Sequence, residues 1–266
     1  MSSPVSMQAY RLPAAAGWGW IRDGFALFRR QPISLMTLFL FYLFTLFLVV
    51  LIPILGPLVQ VALMPGLSVG FLSAARAASE GRGVNVRELV VGFRANHGKA
   101  AKPLLQLGGF YFLAICLVFL LTALLDDGTL SHMFIEGREP SEAEMESSRM
   151  TFAMIAAIVG YLAVTLSFWF APALVAWHDV PPLKALFFST VAGWRNLGAF
   201  ASFFAGAFAV MVLSQLVLLA PLSLLGAPQS LQAFLVMPLS VVLFSTMHCA
   251  IYLSYRQTFG LDRGAA

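Results

Sequence analysis

Six stretches of this chain contain no aspartate, glutamate, lysine or arginine: residues 33–52, 54–75, 103–125, 152–175, 197–224 and 231–253. An ionised side chain at the centre of a bilayer costs at least about 2.5 kcal/mol. A helix needs about 20 apolar residues to cross the hydrocarbon core. Charge-free runs of this length predict six transmembrane helices and exclude a soluble globular core. Cysteine is scarce too, with only Cys116 and Cys249, so no disulfide framework exists. The predicted topology places the two at different depths, which makes a bridge between them unfavourable. Spans without acids or bases offer no carboxylate relay for proton or sodium coupling. The chain also lacks a phosphate-binding glycine loop, a dinucleotide fingerprint and a zinc-protease string.

What is present is 60% hydrophobic and only 11% charged, which assigns the whole chain to one membrane domain. The predicted organisation is a cytoplasmic N-terminus with an interfacial helix (1–32), a six-span domain (33–253) and a cytoplasmic tail (254–266). No small-residue cleavage site follows the first span, so the N-terminus is expected to be retained. The isoelectric point near 9.3 does not indicate nucleic-acid binding, because the basic residues are scattered beside the spans. All 16 lysines and arginines except Arg138 and Arg149 lie in the N-terminus, the C-terminus and the segments after the second and fourth spans. Those two share the 126–151 loop with Asp126, Asp127, Glu136, Glu139, Glu142, Glu144 and Glu146. Basic residues are retained in the cytoplasm, so both termini are expected there and the acidic loop outside.

The basic connections have an internal order. Trp18, Ile21, Phe25 and Phe28 fall at helical spacing before the first span. Val86, Leu89, Val90 and Phe93 do so before the third, where Asn85 and Glu88 resemble a capping box. Leu183, Leu186, Phe187, Val191 and Trp194 do so before the fifth. Each predicts an amphipathic helix lying in the membrane interface. Each ends in an aromatic residue followed by arginine: Phe28-Arg29, Phe93-Arg94 and Trp194-Arg195. A ring at headgroup depth beside a guanidinium makes an interfacial anchor, so Arg29, Arg30, Arg94 and Arg195 are candidate contacts to lipid headgroups or a partner. The second helix of each pair carries Pro65-Gly66-Leu67, Pro172-Ala173-Leu174 or Pro238-Leu239. The reading is an all-α bundle of three repeats, each an interfacial helix plus a transmembrane hairpin.

The series Trp20-Ile21-x-x-Gly24-x-x-Leu27-Phe28, Gln31-Pro32, Ile52-Pro53-x-x-Gly56 and Pro65-Gly66-Leu67-x-x-Gly70 resembles an uncharacterised family of polytopic β-proteobacterial inner-membrane proteins. Pro172-Ala173-Leu174 running to Ala185, Ser189 and Asn196 is more distantly similar to YciC-type proteins and to the membrane part of some glycerophosphodiester phosphodiesterases. The resemblance implies a bacterial inner membrane and carries no catalytic motif.

Few polar groups lie inside the spans. Gln60, Gln106, Gln215, His248, Tyr42, Tyr161 and Tyr252 are the main ones. His248, read as about one turn from the cytoplasmic end of the last span, and Gln215 are expected to form hydrogen bonds between helices. Neither has the neighbours a metal site needs. Trp177-His178-Asp179 lacks a positioned nucleophile, so catalysis is not expected there. Gly66-x-x-x-Gly70 and Ser202-x-x-x-Gly206 predict close helix packing, within the chain or between copies. Ser141 and Glu144 form a capping-box pattern, expected to start the fourth helix outside the bilayer within a solvated acidic loop.

These readings point to a non-enzymatic membrane protein without cofactor or metal that organises the envelope or interacts with lipids, a membrane-protein partner or a second copy of itself. The alternative is a permease or channel for a neutral or apolar solute, using Gln215 or His248. Single cysteines placed in the 126–151 loop are expected to react with a membrane-impermeant maleimide added outside intact cells. Labelling only after lysis would reverse the topology.

Overall fold

The computed structural model describes residues 9–53, 55–139 and 141–260, which form helices and turns with no strand among them. In chain order the helices are α1 (Ala16–Phe28), α2 (Pro32–Val50), α3 (Leu55–Ser79), α4 (Val91–Arg94), α5 (Ala101–Asp126), α6 (Thr129–Glu136), α7 (Glu142–Met145), α8 (Ser148–Trp169), α9 (Ala171–His178), α10 (Pro182–Arg195), α11 (Leu197–Leu224) and α12 (Gln229–Thr258). Six are long and apolar enough to cross a membrane, α8 and α9 counting as one. Each crossing reverses direction, so α1 and the end of α12 share one side of the bundle with most of the basic residues. This is the basic side. The opposite, acidic side carries α6 and α7.

The fourth span breaks where its proline falls. Pro172 has no N–H and its ring crowds the preceding turn, so the helix opens at Phe170. The opened pair is closed by a side chain. Ser189 of α10 accepts from the Phe170 N–H at 3.0 Å and donates to the Leu166 carbonyl at 2.9 Å. Its hydroxyl is fully buried and replaces a lost backbone bond. By contrast, α3 and α12 run unbroken through Pro65 and Pro238.

Packing follows a cyclic rule. Helix α2 packs on α3, α5 on α8 and α11 on α12. The connecting segment that leads into each pair packs on the pair before it: residues 86–94 on α2 and α3, and α10 on α8 and α9. Helix α1 has no earlier pair and packs instead on α11 and α12, the last one, which closes a ring.

A side-chain amide at each corner fastens that ring. Gln31, after α1, donates to the Arg82 carbonyl at 2.6 Å and accepts from the Val84 N–H at 2.9 Å. Asn96, after α4, donates to Asp179 at 2.5 Å and to the Ala176 carbonyl at 3.3 Å. Asn196, after α10, accepts from the Leu12 N–H at 2.8 Å and donates to the carbonyls of Tyr10 and Ala192 at 3.0 and 2.9 Å. Each amide therefore ties the end of one connecting segment to the linker that opens the next, and Asn196 returns the chain to its start.

The buried core lies at this basic end. Trp20, Tyr255, Phe170 and Phe200 are its largest fully buried side chains. Trp20 and Trp169 both stack edge-on against Phe200, at 5.5 and 5.3 Å. Their indole N–H groups reach Gln257 at 2.9 Å and Ser254 at 3.0 Å on α12. Towards the acidic side fewer side chains are buried, and a small second cluster joins Leu130, Met150 and Ala153. Helix α3 is innermost, with more than half of its apolar stretch buried, whereas α11 is almost wholly uncovered. Leu213, Leu216 and Val217 on α11 thus present bare apolar surface, as a lipid-facing helix does.

Several local expectations are corrected. Residues 86–98 form a 3-10 turn, the single-turn α4 and a further turn, because Asn96 and His97 adopt left-handed backbone angles that end any helix. Asn85 caps the Arg87 N–H at 3.0 Å, without a reciprocal bond from Glu88. The last helix continues to Thr258, past the predicted tail boundary, because Tyr255 and Thr258 are buried and the Thr258 carbonyl accepts from the Tyr10 N–H at 2.8 Å. The small-residue strings pack within the chain. A Cβ on Gly70 would lie 2.7 Å from Leu89 Cα, and one on Gly206 would lie 2.9 Å from Ile21 Cδ1.

On the acidic side, Ser141 and Glu144 do form a reciprocal capping box, with the Ser141 N–H bonded to the carboxylate at 2.8 Å and the Glu144 N–H to the hydroxyl at 3.3 Å. It starts the short α7 only. The fourth span begins separately at Ser148, where Ser147 caps the Arg149 N–H. Arg138, at 2.7 Å, and the bonds from Ser141 hold the Glu144 carboxyl down to about 2.

Ser189→Ala strands a buried N–H and a buried carbonyl, and is expected to cost about 1–3 kcal/mol in unfolding assays in detergent. Unchanged stability would deny Ser189 its bridging role. The Glu144 pKa is depressed in the folded loop, so its contribution is complete above the ordinary value of 4.5 and is lost as pH falls towards about 2. NMR amide shifts of Ser141 and Glu144 are therefore expected to hold from neutral pH to below 4.5 and to collapse only near the lower value.

Candidate functional site

Two cavities lie along α3, α9 and α12, the second helices of the three pairs. The first, of about 310 Å³, is at span depth. Its polar lining comes from Ser68 of α3, Tyr111 of α5, Tyr161 and Thr165 of α8 and His248 of α12, and most of the remaining wall is apolar. Pro65 and Pro172 both line it, whereas Pro238 does not. Helices α8 and α11 meet near its floor, where Trp169 stacks on Phe200, Phe203 and Phe204 at 5.3 to 5.6 Å.

His248 is held from two directions. Its ring lies 4.0 Å from that of Phe71, and Nδ1 is 2.8 Å from the Phe244 carbonyl. A carbonyl can only accept, so Nδ1 carries the proton and Nε2 is left as an acceptor. Because α12 continues to Thr258, His248 sits about 15 Å from the helix end. Gln215 is half-buried on α11 and lines neither cavity.

The second cavity, of about 460 Å³, opens at the basic side between the C-terminal ends of the same helices. Arg76 lies over the Trp177 ring at 5.8 Å and Arg256 over the Tyr252 ring at 5.7 Å. His178 Nε2 is 2.6 Å from the Tyr255 hydroxyl, and Ser79 and Tyr252 pair at 3.3 Å. Glu80 completes the wall, bonded to Arg82 at 2.6 Å and Arg76 at 3.0 Å. Those two guanidiniums, Arg82 foremost, hold its carboxyl below the usual range and keep it ionised. His178 and Asp179 turn to different partners, Tyr255 and Asn96, so they form no catalytic pair.

The four arginines singled out by the sequence occupy other ground. Arg29, Arg94 and Arg195 are exposed at the ends of three different connecting segments, and Arg30 donates to the Ser79 carbonyl at 3.3 Å. The rings before them are not equivalent. Phe28 is 5% exposed and Trp194 73%, while Phe93 lies against Gly66. Only Trp194 is placed as a free anchor, because the core claims the other two. Sequence reasoning noted Tyr161 and Tyr252 as polar groups but not that they face different cavities. It missed Tyr111, Arg76, Tyr255 and Arg256 in these roles. The acidic side uses its carboxylates locally. Asp126 caps the Gly128 and Leu130 N–H groups, Asp127 pairs with Arg149 and Glu136 with His132. Among the described residues no group of His, Cys, Asp and Glu could hold a metal ion.

No family model matches the chain. No solved structure matches it either. A protein of Burkholderia thailandensis named "Probable inner membrane protein" is 40% identical over 262 residues, covering 98% of this chain and 97% of that protein. The more distant likeness to YciC-type proteins and to phosphodiesterase membrane parts gains no support from these comparisons. Near-complete coverage at that identity, together with six apolar helices, makes this chain a member of the same family of multi-pass inner-membrane proteins.

Proposed function

We propose that the protein is a non-enzymatic, lipid-interacting component of the inner membrane, with its basic side and both termini in the cytoplasm. The cavity at span depth takes an apolar chain from the bilayer. The observation that carries this reading is the cavity itself: about 310 Å³ within the membrane-spanning helices, walled mainly by apolar side chains. Ligand sites start at about 300 Å³ and pair apolar walls with a few placed polar groups, a description that Tyr111, Tyr161 and His248 fit. Its place among the spanning helices makes it accessible to a guest dissolved in the bilayer.

A second reading, passage of a neutral solute, rests on the alignment of the two cavities. On α3 one helical turn of about 6 Å, from Leu72 to Arg76, divides them, and on α12 the adjacent residues Ile251 and Tyr252 line one each. The division is closed by the Trp169–Ser254 and His178–Tyr255 hydrogen bonds.

Native mass spectrometry of the chain released from nanodiscs is expected to show a retained lipid. Ser68→Phe or Thr165→Trp, which fill the cavity, are expected to abolish the adduct, while Gln215→Ala keeps it. Retention in the filled variants would refute the lipid reading. Glycerol flux into proteoliposomes that stops in the same variants would favour the permeation reading.

A further inference from the structure

No aspartate, glutamate, lysine or arginine lines the span-depth cavity, and its polar atoms divide into two kinds. Two of them are left as acceptors. The Ser68 hydroxyl already donates to the Pro65 carbonyl at 2.8 Å, and His248 spends its Nδ1 proton on the Phe244 carbonyl, so Nε2 offers a lone pair. The other three can donate. The hydroxyls of Tyr111, Tyr161 and Thr165 make no hydrogen bond among the described residues, and each keeps its proton for a guest. Tyr161 is exposed, whereas Tyr111, Thr165 and His248 are half-buried. The imidazole is held in place by the rings of Phe71 and Phe39, at 4.0 and 6.0 Å.

A bare acyl chain would cover these atoms without bonding any of them, and a polar atom left unpaired in hydrocarbon is costly. A phosphate or carboxylate would enter with no counter-charge on the wall. A hydroxyl serves both kinds of atom, because its proton can go to an acceptor while its oxygen takes a proton from a phenol. We propose that the guest is an uncharged lipid headed by a free hydroxyl, which donates to His248 Nε2 and accepts from Tyr111 or Tyr161. This rests on the lipid reading above and adds the class of headgroup. An ether of the same chain only accepts, so it leaves Nε2 unpaired and binds more weakly than the alcohol.

Photolabelling of the full chain in phosphatidylcholine vesicles tests it, with hexadecanol carrying a mid-chain diazirine as the probe. Hexadecanol, hexadecyl methyl ether and hexadecyl phosphate serve as competitors. Cross-links are expected on α3, α5, α8 and α12, the helices that line the cavity. Hexadecanol is expected to displace the probe about tenfold better than the ether, the size of one net hydrogen bond, and the phosphate is expected to do no better than the ether. His248→Phe is expected to bring the alcohol down to the level of the ether. Combined Tyr111→Phe and Tyr161→Phe substitutions are expected to weaken alcohol and ether alike, since both accept from a phenol, and Gln215→Ala is expected to change nothing. The preference of the wild-type chain for alcohol over ether needs no variant, so it decides the matter even if a substituted chain fails to fold. Equal displacement by alcohol and ether, with labelling lost in Ser68→Phe, would overturn the hydroxyl headgroup and leave the lipid reading standing. Labelling that persists in both Ser68→Phe and Thr165→Trp would overturn the two together. Stronger displacement by the phosphate, or an alcohol preference unchanged in His248→Phe, would also contradict the proposal.

Discussion

A backbone polar group placed in hydrocarbon must have a partner, and the bundle is organised around the places where helix geometry alone cannot supply one. Helices satisfy their own interiors, so the exposed accounts are the breaks and the ends. This chain settles them with short uncharged side chains. Ser189 closes the break in the fourth span, and Gln31, Asn96 and Asn196 bind the linkers between spans. An amide both donates and accepts, so it can stand in for a peptide group without the desolvation cost of a charge.

Because each amide reaches forward to the next linker, the three contacts form a circuit, and the circuit sets where the bundle is tight. Most of the buried side chains lie at the basic end, where the ring clusters of Trp20, Trp169 and Phe200 sit, and the outer parts of the spans are largely exposed. Both cavities adjoin that packed end. The deeper one is bounded by the last tied turn, and the basic one lies where the C-terminal ends of α3, α9 and α12 come together.

Much of this was legible in the residues. The absence of charge located the spans to within a few positions, and helices of matching extent occur at each. Three spans carry a proline and only the fourth breaks at it; the serine that closes that break lies 19 residues away and carries no local signal. The aromatic-arginine steps recur in sequence, yet Phe28 faces the core and Trp194 faces outwards. Helical spacing gives the face a residue occupies, not which neighbour covers that face. The amides were legible only in part. Gln31 and Asn196 stood inside the motifs that carried the family resemblance, but their roles depend on linkers 51 to 186 residues away. The last helix runs on past its apolar stretch to Thr258, an extension that the residues 254–258 did not signal.

The account claims that the three amide contacts act as one ring rather than as separate fastenings. Hydrogen–deuterium exchange on Asn196→Leu in lipid nanodiscs tests this most directly, since leucine keeps the volume and removes the hydrogen bonds. A closed ring predicts faster exchange at Leu12 together with faster exchange at Val84 and Val180, whose linkers Asn196 does not touch. Faster exchange confined to residues 10–12, with 82–84 and 176–180 unchanged, would contradict it.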